Sequence, residues 1–177
     1  MTGRTFMQQL ANGDRDIVAL LLDLLRETGA DYCLVGGLAV NAYVDPVVSL
    51  YLDLVVVADA ATALLTAARN RGMSVETFPH SINLTAARSD LRIQLQTDER
   101  YQDFLSRAES RTVLGYAMRV ACLEDVLQGK VWAYSDPSRR PSKRQKDLAD
   151  IYRLVETHPR LLALLPEALR RKIIDDA

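Results

Sequence analysis

Apolar residues recur at helical spacing through DRDIVALLLDLLRET (14–28) and stop before Gly29, which predicts an amphipathic helix closed by a glycine. DYCLV (31–35) is short and apolar at its end, and Gly36-Gly37 follows at once, then the helix-like LAVNAY. The reading is strand, glycine turn, helix. YLDLVVV (51–57), bounded by Pro46 and Asp59, has the β-branched content of a central strand. ADAATALLTAARNRG (58–72) reads as a helix ending at Gly72. MSVETF, INLTAA and DLRIQLQT (90–97) supply three more strands. The last alternates strictly: Leu91, Ile93 and Leu95 mark a core face, and Arg92, Gln94 and Gln96 mark a polar face able to line a cleft. A short helix around YQDFLSRA and a strand pair in RTVLGYAMRVA, turning at Gly115, precede a helical tail. Its pieces are LEDVLQGKVWAY (123–134), SKRQKDLADIYRLVET (142–157) and a last helix within PRLLALLPEALRRKIIDD, with the polar linker SDPSRRP between the first two.

This order predicts an α/β (α+β) chain, a mixed sheet flanked by helices with a helical C-terminal part. Residues 1–120 are expected to form the core, and 121–177 a helical region packed on it. At 177 residues the chain is long enough to bury a sizeable core. With 22 Lys+Arg against 23 Asp+Glu, no global field argues for nucleic acid or an anionic membrane. Charge is uneven locally: five of the eight residues of RRPSKRQK (139–146) are basic, which makes the segment a candidate anion-binding patch or a solvated face. Cys33 and Cys122 sit in apolar company without partners at metal spacing, as expected of a reduced protein. No apolar run approaches a membrane span and MTGRTFMQQL lacks that of a signal peptide, so a cytoplasmic location is expected.

Candidate chemistry gathers around two features. Glycines between a strand and a helix let a ligand approach the backbone, although a glycine pair is also an ordinary tight turn. On a strand, positions i and i+2 share a face, so an Asp-x-Asp pair presents two carboxylates to one divalent cation. Here the pair is Tyr51 and Asp53. A phenol with an ordinary pKa near ~10 is a poor Mg²⁺ ligand at neutral pH. Lys143, Asp147 and Asp150 fall on one helix face, where ion pairs are the plain explanation. Asp45 and Asp90 are near enough in sequence to supply a further carboxylate, with turn formation the simpler role for Asp45. His80 lacks partners at ligand spacing, and His158, at a helix end, reads as a favourable terminal charge.

VGGLAVNAYVDPVVSLYLDLVVV resembles the opening motif of the DNA polymerase β-type nucleotidyltransferase superfamily, in which a glycine pair precedes an Asp-x-Asp strand. LEDVLQGKVWAY followed by SKRQKDLADIYRL is similar to the lysine and acidic motifs of the AbiEii-like nucleotidyltransferases of toxin–antitoxin systems. The resemblance runs from about Asp31 to about Leu154. It implies that Gly36, Gly37, Ser49 and Lys130 bind a nucleoside triphosphate, that Asp53 holds Mg²⁺, and that Asp53, Lys130 and Asp147 form the catalytic set. Arg139, Arg140, Lys143, Arg144 and Lys146 would meet the acceptor. The implied activity is transfer of a nucleotidyl group to a hydroxyl on RNA or a small molecule, with a cognate antitoxin as a partner of a toxin-type enzyme. The sequence departs from the pattern at Tyr51, which replaces the first aspartate, and at Gln94, which stands where a third carboxylate is expected. The alternative is a catalytically impaired nucleotide- or RNA-binding member.

Overall fold

The structure, a computed structural model, describes residues 3–10 and 15–176. Asp14, the first residue of the helix expected over 14–28, lies outside the described residues. The chain opens with α1 (Gly3–Leu10), which the hydrophobic pattern did not predict. Helix α2 (Ile17–Thr28) is capped by Asp16, whose carboxylate accepts from the Ala19 N–H at 2.9 Å, and closes on Gly29 at φ 64°. Ile17, Val18, Leu21, Leu24 and Leu25 form its buried stripe.

Strand β1 (Tyr32–Val35) leads directly into α3 (Gly36–Val40), and β2 (Tyr51–Val56) follows a loop. A 3-10 turn at Ala58–Ala60 and α4 (Ala61–Asn70) share the stretch expected as one helix. Strands β3 (Met73–Phe78), β4 (Ser81–Ala86) and β5 (Arg92–Gln96) come next, then the short α5 (Phe104–Arg107). The hairpin of β6 (Glu109–Val113) and β7 (Tyr116–Val120) turns on Leu114 and Gly115, at φ 51° and 83°, the left-handed pair that matches strand twist in a two-residue turn. Helices α6 (Leu123–Ser135) and α7 (Pro141–Thr157) follow, the latter with proline in its first turn. The last helix, expected within PRLLALLPEALRRKIIDD, is α8 (Glu167–Asp175), which starts after Pro166 and follows a 3-10 segment, Pro159–Leu164.

All seven strands form one mixed sheet in the order β3-β4-β5-β2-β1-β7-β6. β1 is central and apolar, with Cys33, Leu34 and Val35 buried, as a strand covered on both faces must be. It pairs antiparallel with β2, placing Val35 opposite Asp53, while β2 pairs parallel with β5, placing Asp53 beside Gln94. β4 continues the row with Asn83 opposite Gln94. The alternation read in β5 holds: Ile93 and Leu95 are fully buried, while Gln94 and Gln96 line a cavity. Both cysteines are free, Cys33 in the core with its thiol pushed up to about 12 by burial, Cys122 half-buried. Among the described residues, no helix is long and apolar enough to cross a membrane.

Candidate functional site

A cavity of about 670 Å³ opens between the polar side of the sheet and α6, and its walls include Gly36, Asp53, Gln94, Lys130, Arg139 and Asp147. Pairing of β1 with β2 sets the first wall. Gly36 adopts φ 72°, and a Cβ there would stand 2.2 Å from Asp53 Oδ2. The glycine is therefore required by the neighbouring carboxylate as well as by the turn. Gly37 is placed differently: a Cβ on it would lie 3.9 Å from Asp150 Oδ2 and 4.0 Å from Ser49 Oγ, so it separates the strand from α7. The Ser49 hydroxyl is held by the Tyr51 backbone, accepting from its N–H at 3.2 Å and donating to its carbonyl at 3.3 Å.

The second wall is built by α6 and α7. Lys130 is buried and donates to Asp147 Oδ1 at 3.1 Å, and its ammonium stands 2.7 Å from Asp150 Oδ2. Burial works against its charge, but the Asp150 and Asp147 carboxylates outweigh that and raise its pKa. Asp147, 1% exposed, is closed from its other side by Arg139, whose Nε donates to Oδ2 at 2.6 Å. Asp150 also meets Arg153 at 2.7 Å, and Arg153 reaches across to Asn41 Oδ1 at 3.2 Å and the Asp45 carbonyl at 2.5 Å. The amide of Asn41 clasps Val47, donating to its carbonyl at 2.7 Å and accepting from its N–H at 3.0 Å. The two helical motifs and the loop before β2 are thus one polar network around Lys130.

Asp53 is half-buried, and burial pushes its carboxyl above the usual carboxylate range; Lys130, Arg139 and Lys143 offset only part of this, and Asp147 adds to it. Tyr51, two residues earlier, is exposed, and the Lys143 ammonium lies 4.0 Å from the centre of its ring. A cation over an aromatic face at an exposed site contributes about 0.5–1 kcal/mol. The basic run does not form one free patch. Arg139 is committed to Asp147, Lys143 to Tyr51, and Arg144 donates to the Tyr134 carbonyl at 2.7 Å, while Arg140 and Lys146 are exposed. Lys143 does not join Asp147 and Asp150 along α7, as the helical spacing suggested; Lys130 of α6 takes that place.

The far end of the cavity escaped the sequence reading. Tyr101 and Trp132 line it, packed edge to face at 5.2 Å, with Asp98, Arg100, Asp136 and His80 around them. The available signal was Gly129 beside Lys130: a Cβ there would lie 3.3 Å from the Tyr101 ring, so the glycine admits the aromatic wall. His80 sits on this rim, Asp45 serves through its backbone carbonyl, and His158 bonds the Tyr43 carbonyl through Nε2 at 3.0 Å.

The donor set can be weighed against a divalent cation. Asp53 is the one carboxylate on its face of β2; the i−2 position carries a phenol under an ammonium, and the register neighbour on β5 is an amide. Asp147 and Asp150 are neutralised by Lys130, Arg139 and Arg153. Among the described residues no group of three or more His, Cys, Asp or Glu side chains is arranged to hold a metal ion. These residues do not fit a two-carboxylate Mg²⁺ site, and the lysine at Tyr51 would repel a cation placed there.

The mixed sheet, its flanking helices and the glycine turn facing the second strand constitute the nucleotidyltransferase fold. The chain is similar in structure to the antibiotic-resistance factor ANT(2'')-Ia, at 17% identity over 90% of each chain with a TM-score of 0.62. The same factor in complex with adenylyl-2''-tobramycin gives 19% identity over 90% of this chain and 96% of that one, TM-score 0.58. The lincosamide antibiotic adenylyltransferase LnuA, bound to lincomycin, is 12% identical over 81% of this chain and 99% of its own, TM-score 0.56. Neither the protein-family models nor the curated proteins yield a match to the sequence.

Proposed function

We propose that this chain binds a nucleoside triphosphate in the cavity bounded by Gly36, Asp53, Lys130 and Arg139, on a nucleotidyltransferase scaffold whose donor set is too poor for efficient metal-assisted transfer. One observation carries the reading: Tyr51 stands under Lys143 where the first carboxylate is needed. Cations stabilise the developing charge of phosphoryl transfer by several kcal/mol, so the loss of carboxylates that hold them costs orders of magnitude in rate. Lys130 fits the nucleotide end, and Asp147 acts on it as a positioning residue.

A second reading keeps the transfer reaction, to a hydroxyl of a small molecule or RNA. It is favoured by the length of the cavity, which extends past Asp53 to Tyr101, Trp132 and Asp136 and leaves room beside a nucleotide. ANT(2'')-Ia with its adenylylated tobramycin supports a small-molecule acceptor. The AbiEii-like placement is supported by the convergence of Lys130, Asp147 and Asp150 from the two helical motifs; a toxin role and an antitoxin partner rest on the resemblance alone. The free cysteines support a reducing, cytoplasmic setting.

The experiment is a calorimetric titration of the chain with each NTP beside an assay of nucleotidyl incorporation from labelled NTPs. Binding without turnover in the wild type is expected. Turnover that Asp53→Ala abolishes would replace this reading with the transferase one, and no binding of any NTP would end both.

A further inference from the structure

The mismatch between this site and a divalent cation has a counterpart in the placement of its cations. Three positive side chains act on the Asp53 carboxylate: Lys130, Arg139 and Lys143. The first two are committed, Lys130 between Asp147 and Asp150, and Arg139 on Asp147. Lys143 differs. Its ammonium rests on the aromatic ring of Tyr51 at 4.0 Å rather than on a carboxylate. Lys130, Arg139 and Arg153 are each ion-paired with Asp147 or Asp150, whereas Lys143 rests on a ring beside Asp53. An Asp at position 51 would hold a metal ion; a Tyr there holds a lysine instead. The ring attracts the ammonium and so favours one position for that charge.

We propose that this site binds the polyphosphate of its nucleotide without a divalent cation, with Lys143, held on Tyr51, supplying the positive charge that a metal ion would bring. This rests on the nucleotide-binding reading above and extends it to the manner of binding. Its corollary is that Tyr51 is a working part of the site, carrying a cation where an aspartate would have recruited one from solution. A lysine is a point charge suited to a phosphate oxygen, and arginine preserves both the charge and the stacking on the ring.

The test is a calorimetric titration of the full chain with ATP, once in EDTA and once in excess MgCl₂, with thermal melts to verify that each variant is folded. In the wild type the two dissociation constants are expected to agree within about threefold, a difference below 1 kcal/mol. In EDTA, Lys143→Gln is expected to weaken binding by about tenfold or more, and Lys143→Arg to retain it. Tyr51→Asp is expected to bind more weakly in EDTA and to recover with Mg²⁺. Wild-type binding that Mg²⁺ tightens about tenfold or more overturns the metal-free proposal and leaves the nucleotide reading standing. Equal affinity of Lys143→Gln and wild type in EDTA overturns the role of the lysine. Absence of ATP binding in both buffers overturns the proposal and counts against the nucleotide reading, which then turns on the remaining NTPs.

Discussion

Gly36 and Asp53 share one space: a methyl group on the glycine would lie 2.2 Å from Asp53 Oδ2, 2.9 Å from its Cγ and 3.0 Å from its Cβ. Gly36→Ala must therefore displace the carboxylate and also accept φ 72°. The left-handed backbone alone costs about 1–2 kcal/mol, and crowding adds about 1–3 kcal/mol. Chemical denaturation should show the sum. Asp53→Ala in the same chain relieves the contacts with Oδ2 and Cγ but not the backbone strain, so the double variant should recover only part of the loss. Strict additivity of the two substitutions would mean that the side chains do not collide.

Among the described residues, Lys130 is the one cation bridging Asp147 and Asp150. Replacing it with methionine keeps the volume and leaves Asp147 to Arg139 and Asp150 to Arg153, each short of one buried partner; breaking a buried pair outright costs about 3–5 kcal/mol, the upper bound here. Urea midpoints should fall accordingly in Lys130→Met. Adding Asp150→Asn should restore a share of the loss, because Arg139 remains on Asp147. A Lys130→Met chain as stable as wild type would show that the network does not hold α6 to α7.

The Asp53 carboxyl lies above its ordinary value because burial outweighs the nearby cations. Between the unfolded value of ~3.9 and the raised folded value, the folded chain binds the proton and the unfolded chain has lost it. Stability therefore falls as pH rises through that window and stays reduced above it. Asp53→Asn removes the ionisation. Its melting temperature should exceed that of wild type near pH 7, with the gain disappearing below about pH 4, where both side chains are neutral. A gain of equal size at both pH values would trace the effect to packing.

Within the loop from Ala42 to Val48, the Asn41 amide holds both backbone groups of Val47, beside the Arg153 bond to the Asp45 carbonyl and the bonds at Tyr43. Asn41→Ala removes the Val47 bonds and the acceptor of Arg153, and each bond contributes about 0.5–1.5 kcal/mol net. The measurable effect is local: faster amide exchange and proteolysis within 42–48, with the rest of the sheet unchanged. Unchanged protection of the loop would show that Arg153 on the Asp45 carbonyl and the bonds at Tyr43 suffice to hold it.

How much of this was legible in the sequence follows from the range of each interaction. Strand β5 alternates because one face is core, and the pattern named both faces correctly. The Gly115 turn and the Gly29 and Gly72 helix ends were legible since positive φ is a local demand. Helix α1 was not, lacking a long apolar period, and the stretch that holds the final helix gave its presence but not its start after Pro166. At the site, Gly36, Asp53, Lys130 and Asp147 were named from motif order, and they meet in one cavity. Local spacing could not reveal that Lys143 leaves its own helix face for Tyr51, or that Arg139 turns inward to Asp147. Those partners are chosen by the packing of α6, α7 and β2. The Tyr101–Trp132 wall joins residues from separate elements and left only Gly129 as a local trace.

The sheet ends in two hairpin strands, β3 on one side and β6 on the other. Strand β6 carries Glu109 and Arg111, paired at 2.8 Å, and β3 carries the exposed Glu76 near its middle. Charges along a free strand edge discourage another chain from adding its own strand. Growth of the sheet by edge pairing is therefore guarded most strongly along β6, while β3 carries one such charge and ends on the exposed Phe78.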